Sequence, residues 1–171
     1  NPALSAINKG VWVDKSMNQE QALAILKTGK SVFLTGEPGA GKTYTIDTYV
    51  SWLKENNISV AVTASTGIAA THISGMTIHS WSGVGIRKDI SKAEINKIAK
   101  KPYIKSRIKD ADVLIIDEIS MLPPYALDLV ETMCRKVRSN TKPFGGLQVV
   151  FVGDFFQLPP VMKREGVVDD E

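Results

Sequence analysis

The stretch GEPGAGKT, at residues 36–43, constrains the fold of this 171-residue chain more than any other feature. It matches the pattern G-x-x-x-x-G-K-[ST], follows the short apolar run SVFLT and precedes a segment with apolar residues at helical spacing. Glycines at these positions let backbone N–H groups wrap phosphate oxygens, and the helix start adds partial positive charge. An accidental glycine turn is the alternative, but the complete pattern in this context favours a phosphate-binding loop.

The loop and its flanks supply the candidate nucleotide-binding residues. Lys42 is expected to reach the β- and γ-phosphates of ATP, and the Thr43 hydroxyl is expected to ligate Mg²⁺. The loop backbone would surround the phosphates. The residues predicted from this motif are Gly36, Pro38, Gly39, Ala40, Gly41, Lys42, Thr43 and Tyr44.

Short apolar runs alternate with amphipathic segments along the rest of the chain. Strands are expected at 31–35, 58–63, 113–117 and 148–153. Helices are expected at 19–26, begun by a capping box from Ser16 to Gln19, at 42–55, and after Pro123 and Pro124. Continuous apolar strands separated by helices are typical of a parallel sheet covered on both faces. The predicted fold class is therefore α/β, an open doubly wound sheet that binds ligands at the carboxyl ends of its strands.

Length and composition favour one intracellular domain. A chain of 171 residues that is 43% hydrophobic can bury one core but is short for two. No run approaches the ~20 apolar residues that cross a bilayer, and residues 1–10 do not resemble a signal peptide. The single cysteine, Cys134, has no partner for an internal disulfide or a zinc site and is expected in the core. A soluble protein of a reducing compartment is the expectation.

Positive charge is concentrated between Arg87 and Lys109. This segment has nine basic and two acidic residues, a net charge of +7, whereas the remainder of the chain carries −4. It also interrupts the alternation of strands and helices, so residues 86–110 are predicted to form a small insertion on the sheet. The segment is either a surface for a polyanion or a lysine-rich solvated helix, and its composition favours neither.

Two carboxylates, Asp117 and Glu118, directly follow the apolar run VLII. A carboxylate at a strand end beside a phosphate loop can complete a Mg²⁺ shell, so Asp117 is a candidate metal ligand together with Thr43. Glu118 can orient and deprotonate water, which makes it the candidate general base. Such a pair is also ordinary surface chemistry, and a kinase acting on a small molecule could share the loop and Asp117. The second carboxylate favours water as the acceptor.

Two further segments have unusual composition. The sequence GDFFQLPP follows the fourth predicted strand, and its Gln157 could sense the γ-phosphate; the alternative is a loop with a packed aromatic pair. The sequence TASTGIAATHISGMTIHSW, at 63–81, is rich in small and hydroxyl-bearing residues and could hold a ligand other than the nucleotide.

Four blocks together resemble the superfamily 1 DNA helicases of the petite-integration-frequency type, here called PIF-type, which are related to the RecD helicases. The blocks are GEPGAGKT, TASTGIAATHISGMTIHSW, LIIDEISML and PFGGLQVVFVGDFFQLPPV. The resemblance runs from about Met17 to Val161, and its second and last blocks are specific to this family. It implies a P-loop NTPase of RecA-like fold that uses ATP and Mg²⁺ to unwind DNA, with roles in DNA repair, recombination and telomere maintenance.

The same resemblance assigns roles to single residues. Gln21 would contact adenine, Lys42 and Glu118 would act in catalysis, and Gln157 would couple the γ-phosphate to DNA binding. Thr66 and Gly67 match the first DNA-contacting motif, and His79 lies in the second.

A DNA phosphate could be held by the hydroxyls of Thr63, Ser65 and Thr66 together with the free N–H groups of a helix that starts near Gly67. Trp81 could offer a stacking face, but a buried core position is at least as consistent with its sequence context.

The family also implies partners. Its members use two RecA-like domains, and this chain is expected to supply the first, at 1–171, with a basic wedge-like insertion at about 86–110. Single-stranded DNA and DNA forks would be the partners, with a monomeric protein in the cytoplasm or nucleoid of a bacterium, or in the nucleus or mitochondrion of a eukaryote. Without the arginine finger of a second domain, hydrolysis would be about 10³ to 10⁵ times slower.

Three function classes therefore stand side by side. The first is an ATP-driven DNA helicase core. The second is a nucleotide-gated module that binds single-stranded DNA without turnover, and the third is a P-loop enzyme that acts on a small molecule. The effect of DNA on ATP hydrolysis distinguishes them.

Overall fold

A computed structural model describes residues 11–13, 17–36 and 41–154 of the chain. Its strands are β1 (Val11–Val13), β2 (Val32–Thr35), β3 (Val60–Ala64), β4 (Met76–Thr77), β5 (Val113–Asp117) and β6 (Gln148–Gly153). They form one sheet in the order β1-β2-β6-β5-β3-β4, and every neighbouring pair is parallel. The predicted α/β class and parallel sheet are confirmed.

Helices cover both faces of this sheet. They are α1 (Gln19–Leu26), α2 (Lys42–Glu55), α3 (Gly67–His72), α4 (Ile78–Ser82), α5 (Lys92–Ala99), α6 (Pro102–Asp110) and α7 (Pro124–Arg138). Because strand side chains alternate, Leu114 packs on one face with α4 to α7, and its neighbour Ile115 packs on the other with α1 and α2. The sheet is therefore doubly wound. In the described part of the chain, no helix is both long and apolar enough to cross a membrane.

The predicted element bounds agree closely with the structure. Those of α1, α2, β5 and β6 are as expected, β2 begins one residue later, and β3 lies at 60–64 instead of 58–63. The strands β1 and β4 were not predicted, because runs of three and two residues carry too little periodicity. Cys134 is buried, as expected, and burial raises the pKa of its thiol.

The capping box of α1 differs from the prediction. Ser16 lies outside the described residues, and the cap is Asn18, whose Oδ1 accepts a hydrogen bond from Gln21 N at 2.8 Å. Gln21 Oε1 accepts one from Asn18 N at 3.0 Å in return. The reason is positional, since a capping side chain must come directly before the first helical residue, which is Gln19.

The basic segment forms α5 and α6. Ile95 and Ile98 of α5 and Ile104 and Ile108 of α6 are buried in the same core as α7. These helices are therefore part of the layer that covers one face of the sheet, with their lysines on the outer surface. A wedge role for the segment stays a prediction.

Tyr49 ties together three elements where the strands begin. Its ring is 1% exposed, and its Oη lies 3.1 Å from Leu26 O and 3.0 Å from Gln148 Oε1, to both of which it can donate. Gln148 Nε2 donates to Leu26 O and to Lys30 O, each at 3.0 Å. The end of α1, the middle of α2 and the start of β6 are thus joined by one polar cluster. Burial raises the pKa of the Tyr49 phenol.

We expect Tyr49→Phe to lower the free energy of unfolding by about 1–2 kcal/mol, because Gln148 Oε1 loses its donor in a partly buried site. Urea denaturation would measure this, with Tyr103→Phe as the control because the Tyr103 side chain is 56% exposed. The raised pKa adds a pH signature. The neutral Tyr49 phenol stabilises the folded state fully below about pH 10, and this contribution falls as the pH rises further. The difference in unfolding free energy between the unsubstituted chain and Tyr49→Phe should therefore shrink above about pH 10. Equal stability of both variants at neutral pH would contradict this role.

Candidate nucleotide and nucleic-acid site

The described part of the glycine loop comprises Gly36 and the residues from Gly41 onward; Pro38, Gly39 and Ala40 lie outside it. Gly41 directly precedes α2 at φ 88°, in the left-handed region that favours glycine, and supplies no side chain to cap the helix. The first N–H groups of α2 are therefore left for an anion. Lys42 Nζ donates to Gly36 O at 2.7 Å, which holds the ammonium group next to the first residue of the glycine loop.

Both predicted metal-ligating residues line one cavity. Its volume is about 480 Å³, and Thr43 and Asp117 contribute to its wall together with Lys42, Tyr44 and Glu118. Thr43 is exposed and Asp117 is half-buried. Burial raises the pKa of the Asp117 carboxyl, while the Lys42 ammonium acts in the opposite direction. The phosphate-loop lysine and the carboxylate pair, 75 residues apart in sequence, therefore meet at one site.

The Asp117–Glu118 turn is conformationally strained. Glu118 has φ 54° and ψ 44°, a left-handed conformation that costs a non-glycine residue about 1 kcal/mol. Its N–H donates to Asp117 Oδ1 at 2.9 Å, and this bond orients the carboxylate. The turn directs the exposed Glu118 side chain toward the cavity that Asp117 and Lys42 line.

Ser65 holds this turn in place and was missed as a structural residue by the sequence prediction. Its Oγ donates to Glu118 O at 2.5 Å, and its N–H donates to Asp117 O at 3.0 Å. Ser65 follows β3, which pairs with β5 so that Ala64 lies opposite Asp117. The segment expected to bind DNA is thus hydrogen-bonded to the segment expected to bind metal.

The strand β6 lies between β2 and β5, so its end adjoins both the loop and the carboxylate pair. Gly153 is in register with Thr35, and Gly153 and Asp154 line the same cavity as Asp117. Gln157 lies outside the described residues. Its predicted role as a γ-phosphate sensor stays a prediction.

A second, smaller cavity lies beside the start of α1, and only one of the two glutamines there, Gln19, lines it. It measures about 110 Å³ and is lined by Gln19 together with Gly36, Gly41 and Lys42. Gln19 lies so close to the loop that a Cβ on Gly41 would collide with its Nε2. Gln21 is absent from this wall and uses its side chain in the capping box. Gln19 is therefore the glutamine that lies beside Gly41, and the adenine contact expected of Gln21 stays a prediction.

The hydroxyls of the 63–81 segment are used within the fold. Thr63 is fully buried and its Oγ1 donates to Ile115 O at 2.7 Å, so the expectation that it holds DNA is wrong. Thr66 caps α3, its Oγ1 accepting from Ala69 N at 3.2 Å. Gly67 opens the helix, and a Cβ added at this position would meet no other atom within 4 Å, which leaves room for a ligand.

His79 and Trp81 have different surroundings. His79 is partly buried, and its Nδ1–H donates to Gly85 O at 2.9 Å, which fixes the orientation of the ring. The Trp81 side chain is 3% exposed and belongs to the core beneath α4. Trp81 is therefore a packing residue and offers no stacking face.

A parallel doubly wound sheet, a glycine loop that opens α2 and a carboxylate pair after β5 define a P-loop nucleotide-binding domain. The chain matches the family described as PIF1-like helicase over residues 14–169 and belongs to that family. The resemblance carried by the sequence blocks is confirmed.

One curated relative is the ATP-dependent DNA helicase Pif1 of Psychrobacter sp., 55% identical over 148 residues, which cover 86% of this chain and 22% of the relative. Among solved structures, Pif1 helicase from Candida albicans is similar with a TM-score of 0.75 and 40% identity, over 83% of this chain and 33% of that one. Pif1 helicase from Bacteroides in complex with ADP-AlF3 and ssDNA is similar with a TM-score of 0.71 and 34% identity, over 83% of this chain and 32% of that one. The RecA-like fold is confirmed, and the chain spans about a fifth of its curated relative.

The strain at Glu118 gives a test of the turn. Glu118→Gly should be more stable than Glu118→Gln by about 1 kcal/mol, because both lose the carboxylate but only glycine relieves the left-handed conformation. Urea denaturation of the two variants measures the difference. A glycine variant less stable than the glutamine variant would show that the turn is not strained.

Proposed function

We propose that this chain is the first RecA-like motor domain of an ATP-dependent DNA helicase, that it binds and hydrolyses ATP with Mg²⁺, and that it contacts single-stranded DNA. Unwinding would require the longer protein. The observation that carries the proposal is the single cavity lined by Lys42, Thr43, Asp117 and Glu118 at the strand ends. The names of the relatives support the same activity.

Each residue of the nucleotide site would have a distinct task. Lys42 would exchange Gly36 O for phosphate oxygens, and Glu118 would accept a proton from the attacking water. Thr43 and Asp117 would hold Mg²⁺, which neutralises phosphate charge when bound. Among the described residues, no group of three or more His, Cys, Asp or Glu side chains could hold a metal.

Single-stranded DNA would lie across the end of β3 and the start of α3. Support comes from the open space at Gly67, from Thr66 at the helix start and from the His79 ring, which its bond to Gly85 O orients. Ser65 could couple DNA binding to ATP hydrolysis, because its hydroxyl is hydrogen-bonded to the backbone of Glu118. A shift of this segment on DNA binding would therefore move the Glu118 backbone. Forked DNA as a partner, a monomeric state and the cellular compartment remain predictions.

The proposal is tested by measuring ATP binding and hydrolysis with and without oligo-dT. We expect Glu118→Gln to retain ATP binding, measured with a fluorescent ATP analogue, and to lower hydrolysis at least about 100-fold because the general base is lost. Lys42→Ala should weaken both. Single-turnover conditions are appropriate, since hydrolysis without an arginine finger is expected to be slow.

The outcomes separate the three function classes. Oligo-dT stimulation that Glu118→Gln abolishes supports the motor. DNA binding without any hydrolysis indicates a nucleotide-gated binding module, and hydrolysis that DNA does not affect indicates an enzyme for a small molecule. Normal hydrolysis by Glu118→Gln would show that Glu118 is not the base.

The two glutamines at the start of α1 provide a matched pair. Gln19→Ala should raise the Kd for ATP roughly tenfold, about 1.4 kcal/mol, because Gln19 lines the cavity beside the loop. Gln21→Ala should leave the Kd unchanged and lower the unfolding free energy by about 1 kcal/mol through loss of the capping box. The reverse result, a raised Kd for Gln21→Ala alone, would support the adenine contact predicted for Gln21. The Kd for GTP serves as the control for base specificity, because losing a contact with adenine should leave the Kd for GTP unchanged.

A further inference from the structure

Four lysines line a cavity that the nucleotide site does not use. Its volume is about 350 Å³, and the lysines are Lys100 after α5, Lys105 and Lys109 of α6, and Lys136 in the last turn of α7. The other wall residues are uncharged. Lys136 lies outside the basic segment found in the sequence, so the cluster exists only in the folded chain.

This four-lysine cavity lies at the edge of the sheet opposite the nucleotide site. The helix α6 ends just before β5 begins at Val113, and α7 ends shortly before β6 begins at Gln148. The nucleotide-site residues Asp117 and Gly153, by contrast, stand at the ends of these strands. Five residues of strand span about 15 Å, so the two sites are separated by the full height of the sheet.

Helix dipoles account for only part of this charge. Three helices end near the cavity, and each end carries about −0.5 charge, which a nearby cation complements. The end of α6 is already satisfied, because Arg138 Nη1 donates to the carbonyl oxygens of Ile108, Lys109 and Ala111 at 3.0, 3.2 and 2.8 Å. The ends of α5 and α7 together need about one positive charge, and the cavity supplies four.

Among the described residues, no acidic side chain forms an ion pair with a cavity lysine. The described ranges include the ion pairs Arg87–Glu94 and Arg135–Glu131, and neither contains a cavity lysine. Other cations of the basic segment do have contacts, since Arg107 Nη1 donates to Ser80 O at 3.2 Å and its guanidinium lies 5.4 Å from the Tyr103 ring. Within the basic segment, some cationic side chains are therefore used by the fold, and three lysines face the cavity.

We propose that the four-lysine cavity binds the phosphate backbone of duplex DNA, as a second nucleic-acid contact remote from the single-strand path. This rests on the proposed function, in which DNA is the substrate. No aromatic ring lines the cavity, and single-strand sites typically stack bases on such rings. A lysine ammonium group is a point charge that binds phosphate without distinguishing base sequence. Duplex DNA carries a denser array of phosphate charges than a single strand, about one negative charge per 1.7 Å of helix axis.

The test is fluorescence anisotropy of the chain with a labelled blunt-ended duplex over a range of salt concentrations. The test variant is Lys105→Gln/Lys109→Gln/Lys136→Gln. The control variant is Lys54→Gln/Lys92→Gln/Lys97→Gln, which removes equal charge from exposed lysines outside the cavity. Deleting the basic segment is unsuitable, because it would remove four buried isoleucines of the core.

We expect the test variant to bind the duplex roughly tenfold more weakly and to reduce the slope of log K against log salt by about 2–3, whereas the control changes both much less. Oligo-dT affinity and ATP binding should be unchanged. Urea midpoints of both variants equal to that of the unsubstituted chain establish that both are folded.

Three results would overturn the proposal. Equal losses in the two variants would mean that only net charge matters. An equal loss of oligo-dT affinity in the test variant would make the cavity part of the single-strand path. Binding of poly-glutamate that depends on the three lysines, without such dependence for the duplex, would indicate an acidic protein partner. In each case the proposed motor function is judged separately, on the unsubstituted chain: if that chain binds ATP and oligo-dT, the motor proposal is unaffected by the failure of the cavity proposal.

Discussion

The parallel pairing of β5 with β3 and β6 is the constraint on which the rest of this domain depends. In a parallel sheet every strand ends at the same edge, so Thr35, Ala64, Asp117 and Gly153 are brought together although they are far apart in sequence. Parallel strands require crossover connections, and the helices that provide them cover both faces. Burial of the strands and assembly of the site therefore follow from one arrangement.

Within that arrangement, the hydrogen bonds of Ser65 connect two functions. The strained conformation of Glu118 persists because the Ser65 hydroxyl and N–H hold the carbonyl groups of Glu118 and Asp117. A hydroxyl that sequence alone suggested for DNA serves instead to fix the candidate general base. In our proposal, this makes DNA binding and hydrolysis share a rigid element only a few residues long.

The charge of the domain is distributed between two edges. At the strand ends, Lys42 faces the carboxylates of Asp117 and Glu118, which suits a metal-bound polyphosphate. At the strand starts, four lysines converge without acidic neighbours in the cavity wall. The sheet between them keeps the two sites apart, so each can bind its own anion without competing for the other's ligand.

The sequence by itself determined the fold class, the bounds of α2, β5 and β6, the phosphate loop and the family, because these depend on periodicity and on residues that are close along the chain. Only the tertiary structure decided that Gln19 lies beside the loop, that Thr63 and Trp81 are buried, and that Lys136 joins Lys105 and Lys109. These facts depend on strand order, register and helix packing, which bring distant residues together or turn a side chain inward. Local pattern carries no information about such neighbours, since the same residue types occur on surfaces and in cores.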